Sequence, residues 1–333
     1  MSIVIVTNSL VEKSDERRLK MMSSLIKRIK RDHPQTEIIT YNTYHPLSDY
    51  HVQVNKPMLS AKLMRLIRRK KEPVLFFMTP SRILNAAIKS LVVSLYARRK
   101  LAVVLTMHIS HIGKLPRFLM RLSKAKLIVT SFEMYEDYSR IFHNDVHYLK
   151  VGIETQRFVP VTPFQKAALR KKYGIGETEK VVLHVGHMQE GRNLGKLLEI
   201  DEKYHVMLVT STYEHEKRNL ELRERLLQRK NLTLIEDYVP NIEEVYQLAD
   251  IYFFPVKDER NCIAAPLSAF EAASCNLPVV CTAFGELQQF RRKEVFSLLI
   301  RSKLRNYMEK FVRHWTAAET PARMWQNTIG TML

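Results

Sequence analysis

The sequence predicts an α/β protein of two domains, each a parallel sheet flanked by helices, and three observations carry that expectation. The chain has 333 residues, a length that suits two domains of ordinary size. Its composition, 46% hydrophobic and 26% charged, is that of a globular protein. Short apolar runs alternate with longer amphipathic segments along both halves, the pattern of strands joined by crossover helices.

In the first half the strand-like runs are Ile3–Thr7, Glu37–Tyr41, Val74–Met78, Ala102–Thr106, Leu127–Thr130 and Val146–Leu149. Helix-like stretches between them include Asp15–Lys30, Ala61–Lys70, Ile83–Ala97 and Arg117–Ser123. A second series follows at Val181–Val185, Val206–Thr210, Leu232–Ile235, Ile251–Phe254 and Val279–Thr282. The link VGIETQRFVPVTP, residues 151–163, holds Pro160 and Pro163 and reads as the junction. The expected domains are thus 1–155 and 156–310, with a helical segment, 311–333, bearing Trp315 and Trp325 and returning to brace the first domain.

No apolar run is long enough to cross a bilayer; the best, Ile83 to Leu105, is broken by Lys89, Arg98, Arg99 and Lys100. The N-terminus MSIVIVTNSL reads as a first strand rather than a signal peptide. Cys262, Cys275 and Cys281 lack C-x-x-C spacing and a nearby histidine cluster, so they read as small buried hydrophobes in a reducing compartment rather than zinc ligands. A cytoplasmic protein is expected.

The formal net charge of +19 is uneven. Residues 1–160 hold 28 Lys+Arg against 12 Asp+Glu, and residues 161–333 hold 25 against 22. Such asymmetry points to an acidic partner for the first half: a membrane surface, a nucleic acid or an anionic substrate. A solvated basic surface is the plain alternative. The runs LIKRIKR (25–31), LMRLIRRKK (63–71) and LPRFLMRLSKAK (115–126) mix apolar and cationic residues. Such helices can rest on an anionic membrane or pack their apolar stripes on the sheet. The sequence shows no nucleic-acid module and no aromatic ladder among these runs.

Glycine is scarce, nine in all and none before Gly113. The first βα turn, VTNSLVEKSDERR, has none, which excludes G-x-G-x-x-G and G-x-x-x-x-G-K-[ST] phosphate loops from the first half. A bound nucleotide is therefore expected mostly in the second domain. That domain opens with KVVLHVGHMQEGRNLGKLLEI. Here a buried strand runs into Gly186, which allows backbone approach, and a helix is expected from Asn193, a good cap. With His187 and Arg192 projecting toward the same point, a diphosphate fits, through guanidinium forks and a positive helix end. An ordinary βα turn with exposed Arg and His is the alternative.

Residues 231–290 give a strand, a short helix, a strand ending at Phe254–Pro255, a polar loop, and a helix carrying Glu271. The loop Lys257–Pro266 falls outside the carboxyl end of a parallel strand, where open α/β sheets bind ligands. Glu271 lies in an apolar helix, Ala264–Ala273, where a carboxylate needs a partner. Two ribose hydroxyls would serve; a structural Arg or backbone amide would serve equally. In the first half, VVLTMHIS ends a strand at Thr106 with His108 just beyond and His111 three residues on. An imidazole there can hydrogen-bond a sugar hydroxyl or a departing phosphate, and a structural histidine is the alternative.

PLSAFEAASCNLPVV resembles the donor-site signature of the family-four (group one) retaining glycosyltransferases, as do HVGHMQEGRNL, the ADIYFFP strand and VGIETQRFVP. Order and spacing agree from about residue 100 to 290. The resemblance implies the GT-B fold, two Rossmann-like domains with parallel sheets facing across a cleft, the first binding the acceptor and the second the nucleotide-sugar donor. It implies that Glu271 holds the donor ribose, that Arg192 replaces the phosphate-binding lysine, and that backbone amides of Ile263–Leu267, Pro266 within it, line the sugar and diphosphate. His108 would face the transferred sugar as the catalytic histidine. The implied acceptor is a glycan or lipid-linked molecule, with the basic half resting on the inner membrane face and no nucleic acid involved. No D-x-D motif lies near the donor site, so no metal or other cofactor is expected.

The sequence departs from the family pattern in three places. His187 stands where the family has arginine, Ile263 where it has a sugar-contacting glutamate, with Asp258 and Glu259 further back, and the turn around Ser14–Asp15 lacks the usual glycines. Ile263 keeps open a second reading, a non-catalytic GT-B protein that binds a nucleotide sugar or a partner glycosyltransferase. A nucleic-acid-binding protein and a nucleotide-sugar epimerase on the same fold are further rivals.

Overall fold

A computed structural model describes residues 3–10, 17–55, 57–78, 83–108, 112–142, 145–210, 220–257, 262–290 and 296–298. His111, Asp258, Glu259 and the segment 311–333 with Trp315 and Trp325 lie outside the described residues. The chain divides into two compact units, Met1–Lys150 with Ile263–Ala265, and Val151–Cys262 with Pro266–Leu333.

The first unit runs β1 (Val4–Thr7), α1 (Arg17–Asp32), β2 (Glu37–Tyr41), β3 (Tyr50–Val52), α2 (Ala61–Arg68), β4 (Val74–Phe77), α3 (Ile83–Tyr96), β5 (Leu101–Leu105), α4 (Lys114–Ser123), β6 (Lys126–Val129), α5 (Phe132–Phe142) and β7 (Val146–Tyr148). All pairings are parallel in the order β3-β2-β1-β4-β5-β6-β7. Strand β1 is central because VIVT is apolar on both faces and fully buried, as a strand covered by helices on both sides must be. It pairs Val4 with Glu37 on one side and Val74 on the other. Local signals fix the helix ends: Ser60 caps α2 by accepting the Leu63 N–H at 3.3 Å, and Lys124 closes α4 in the left-handed conformation at φ 52°.

The second unit runs α6 (Pro163–Lys172), β8 (Lys180–Val185), β9 (Tyr204–Val209), α7 (Leu220–Leu227), β10 (Leu232–Ile235), α8 (Ile242–Leu248), β11 (Ile251–Phe254), α9 (Leu267–Ser274), β12 (Val279–Cys281) and β13 (Phe296–Leu298). Its order, β10-β9-β8-β11-β12-β13, is parallel throughout. The chain winds outward from β8 in one direction and from β11 in the other, so the crevice beyond their carboxyl ends is the topological switch point. Alternate residues feed two cores: Val181, Leu183 and Val185 belong to one, and Val182, with Val206, Leu208 and Phe253, to the other. Cys262, Cys275 and Cys281 are free thiols buried in this unit or at its edge. Burial holds the Cys281 thiol up at about 12, because a thiolate there would lose its hydration.

Pro163, read from sequence as linker punctuation, is instead the first residue of α6. Thr162 caps it in a full capping box with Gln165. Among the described residues no helix is long and apolar enough to cross a membrane.

Candidate functional site

Three of the candidate donor residues, Gly186, His187 and Arg192, lie in the segment that follows β8. Gly186 follows Val185, and its N–H donates to Val209 O at 2.9 Å, carrying the sheet one residue further. His184, a polar residue in an otherwise apolar strand, is fully buried beneath this turn. Its Nδ1 donates to Phe253 O at 2.7 Å, and its ring stacks on Phe254 at 5.7 Å and Tyr252 at 6.3 Å between centroids. A Cβ at position 186 would lie 2.7 Å from His184 Nε2. Glycine is therefore required by close packing. Gly186→Ala is expected to cost about 1–3 kcal/mol, the usual range for overpacking, because the stacked and hydrogen-bonded imidazole has no room to yield. Urea denaturation checks this; an unchanged midpoint would show that the turn is slack.

Beyond Gly186 the expected α-helix is not formed. Two short 3₁₀ turns, Glu190–Arg192 and Leu194–Glu199, occupy the segment, and Asn193 between them is left-handed at φ 57° with no side-chain cap bond. Asparagine suits both an N-cap and the left-handed region, and here the second use prevails. So short a 3₁₀ turn aligns few peptide dipoles, so positive potential at this turn comes mainly from side chains. The α-helical N-terminus at this edge is that of α9, with Pro266 at its cap position and Leu267 its first residue. That helix begins three residues later than expected from sequence.

Arg192 is buried, with its guanidinium 5.5 Å from the centroid of Phe254 at the end of β11. The ring face favours the cation, so the arginine is carried from the β8 loop over the neighbouring strand, to the switch point. The Lys257 N–H donates to Gly191 O at 2.9 Å and ties the loop after β11 to the same turn. His187 is partly buried next to Gly186.

Glu271 lies in α9, one turn from its start, and is buried. Tyr246 of α8 donates its hydroxyl to Glu271 Oε2 at 2.8 Å. The partner that the sequence left open between ribose, arginine and amide thus includes a tyrosine, which fixes one carboxylate oxygen and orients the other. Of the loop Ile263–Leu267, the stretch Ile263–Ala265 groups with the first unit, where the Ala264 N–H donates to Thr106 O at 3.1 Å. That amide is engaged by protein and is not available to line a donor, contrary to the expectation for the whole loop. Ile263 is buried.

In the first unit His108 follows β5 and is mostly buried. Its Nε2 lies 2.9 Å from Asp137 Oδ2. Tyr138, the next residue of α5, stacks on the imidazole at 6.0 Å and 29° while donating its hydroxyl to Met107 O at 3.3 Å. One turn of α5 therefore holds the ring by edge and by face. Sequence reasoning missed Asp137, Tyr246 and His184. Only His184 carried a local signal, a lone histidine in the apolar run KVVLHV.

Residues 165–328 match the family described as glycosyl transferases group 1. The solved glycosyltransferase of Rickettsia africae ESF-5 superposes with a TM-score of 0.73 at 12% identity, over 99% of this chain and 93% of its own. Anabaena Alr3699/HepE in complex with UDP gives 0.73 at 14% identity, over 100% and 94%. The same protein with UDP-glucose gives 0.70 at 14%, over 95% and 91%. No curated protein is matched by the sequence. The second unit is a group 1 glycosyltransferase domain, and the two sheets are those of the GT-B architecture. The protein is a glycosyltransferase.

Proposed function

We propose that the protein transfers a sugar from a nucleotide-sugar donor to a glycan or lipid-linked acceptor, with retention and without a metal. The observation that carries this reading is Arg192, drawn by Phe254 to the switch point where β8 ends, just before Gly186. There a guanidinium can fork the diphosphate of the proposed donor and stabilise the charge that grows as the glycosidic bond breaks. Gly186 admits the phosphates, His187 adds a hydrogen bond, and the first-turn amides of α9, at Leu267 beyond Pro266, add positive potential. Glu271, oriented by Tyr246, takes the ribose. His108, held by Asp137, serves the transferred sugar. Uridine is the base to test first, since Anabaena Alr3699/HepE, which shares the fold, is solved with UDP and UDP-glucose. Retention follows the family resemblance. The basic first half would set the protein against an anionic membrane on its cytoplasmic side.

Ile263, apolar and buried where the family has a carboxylate, favours a second reading, a GT-B protein that binds its nucleotide sugar without turnover. Thermal stabilisation by a panel of nucleoside diphosphates and their sugars tests both. A native-state ligand at about 100 times its Kd adds roughly 2.7 kcal/mol to stability, and the shift is expected for one base and lost in Glu271→Ala and Arg192→Ala. Absence of a shift from every nucleotide would overturn the donor site. A shift without release of nucleoside diphosphate from the sugar donor would select the second reading.

A further inference from the structure

Between Pro73 and Phe132 the chain has ten Lys or Arg and no Asp or Glu. This acid-free stretch includes α3 and α4, which the structure clamps together: Ser94 Oγ donates to Ser123 O, and Arg99 Nη1 to Leu122 O at 3.1 Å. Helix α4 buries Pro116, Met120 and Ser123 against the unit. Its outer side is not a solvated face of ordinary composition. Leu115 is 55% exposed, Phe118 62% and Leu122 43%, and the adjoining Leu95 of α3 is 52% exposed. At 3.6 residues per turn positions 115, 118 and 122 share one arc, and Lys114, Arg117 and Arg121, with Lys124 at the cap, fall on the arc beside it. The exposed Arg98–Arg99–Lys100 turn extends the basic edge.

Helix stability does not explain this arrangement. The first turn of α4 has no acidic residue and begins with Lys114, a cation at the end the helix dipole disfavours. Three large apolar side chains left in water contribute nothing to the core. Side by side, an apolar arc and a basic arc match a bilayer surface, leucine and phenylalanine entering the acyl boundary while Lys and Arg reach anionic headgroups.

We propose that α4 is the membrane-docking element of this protein, lying flat on an anionic lipid surface with Leu115, Phe118 and Leu122 inserted. This narrows the membrane surface proposed above to one helix face. Other occupants fit less well. A second copy would set one basic face against another. The chain's own residues 299–333 hold six Lys or Arg and two Glu, so they too are repelled. Nucleic acid would satisfy the cations but leave the aliphatic side chains wet.

The test is co-sedimentation of the full chain with vesicles of equimolar phosphatidylglycerol and phosphatidylcholine, and with phosphatidylcholine alone. Binding is expected to the anionic vesicles only, and to weaken as salt rises from about 0.05 M to about 0.5 M, where screening shortens to a few ångströms. The triple variant Leu115→Ser, Phe118→Ser, Leu122→Ser should bind at least about tenfold more weakly, having lost the apolar insertion. Its melting temperature and its stabilisation by nucleotide should be unchanged, since these side chains are exposed and outside the donor site. No binding to anionic vesicles at low salt, or equal binding by a folded triple variant, overturns the proposal. So does a preference for a polynucleotide over the vesicles. Loss of nucleotide stabilisation in the parent protein would instead strike the proposed function and leave the vesicle result standing by itself.

Discussion

Asp250→Ala should destabilise the second unit by about 3–5 kcal/mol, the range for removing one partner of a buried ion pair. Arg170 of α6 is nearly inaccessible and donates Nη2 to Asp250 Oδ2 at 2.5 Å, Nε to Leu248 O at 3.1 Å and Nη1 to Glu177 O at 2.6 Å. Lys166, one turn earlier, gives its ammonium to Asp250 Oδ1 at 2.9 Å and to Ala249 O at 2.6 Å. The Val181 N–H, at the start of β8, donates to Oδ2 at 2.8 Å. One carboxylate thus compensates two cations and an orphan amide, and it joins α6 to the first turn of β8 and the start of β11. Burial already pushes the Lys166 amine below its ordinary value, the nearby Asp250 acting in the opposite direction. Without the carboxylate the guanidinium stays buried and charged, because arginine does not deprotonate to escape.

Asp250→Asn should cost less, since its carbonyl still accepts from Val181 and Arg170, although its amide NH2 then turns a donor toward the Lys166 ammonium. Urea denaturation of both variants reads the difference as midpoint shifts at constant slope. If Asp250→Ala falls within about 1 kcal/mol of the parent, as for an exposed pair, the cluster is not what fastens α6 to the sheet.

How much of this could be read from sequence follows from which interactions are local. The strands lying at the centre of each sheet announced themselves because parallel strands buried on both faces must be continuous apolar runs, as VIVT and VVLHV are. Strand β3 was missed because Tyr-His-Val at an exposed edge carries no such signal; its first residue faces solvent. The 3₁₀ geometry around Asn193 was misread because asparagine serves caps and left-handed turns alike. The start of α6 was misread as linker, although Thr-Pro-Phe-Gln carries a local signal, a Pro at the first position and the glutamine of a capping box. The candidate site was legible only as separate segments. Gly186, Arg192 and Glu271 lie in motif-bearing segments, but the groups that orient them or their counterparts come from elsewhere. Tyr246 precedes Glu271 by 25 positions and Asp137 follows His108 by 29. Nothing in periodicity links a histidine after one strand to a carboxylate on a helix three elements later. Only the parallel stacking of β5, β6 and their crossover brings them together.

Under the proposed role of His108, that pairing makes the largest expected effect on turnover a matter of proton placement. A carboxylate at 2.9 Å from His108 Nε2 accepts a hydrogen bond, so in the neutral ring the proton sits on Nε2 and Nδ1 is the acceptor. An imidazole in that tautomer can take a hydrogen bond from a sugar hydroxyl or hold a migrating proton near the glycosidic oxygen. We expect His108→Ala to lower the rate of nucleoside diphosphate release by about 10²–10⁴-fold, the usual reach of a positioned acid–base group, while nucleotide stabilisation in the second unit is retained. Asp137→Asn should fall most of the way with it. The amide would donate to Nε2, move the proton to Nδ1 and turn an acceptor into a donor, with the ring still stacked on Tyr138. Steady-state release of nucleoside diphosphate, measured beside the melting shift from the same nucleotide, separates the two effects. If Asp137→Asn keeps full rate, His108 does not act through a fixed tautomer. If His108→Ala also keeps full rate, the Asp137 pair is structural and the transferred sugar is handled by another residue.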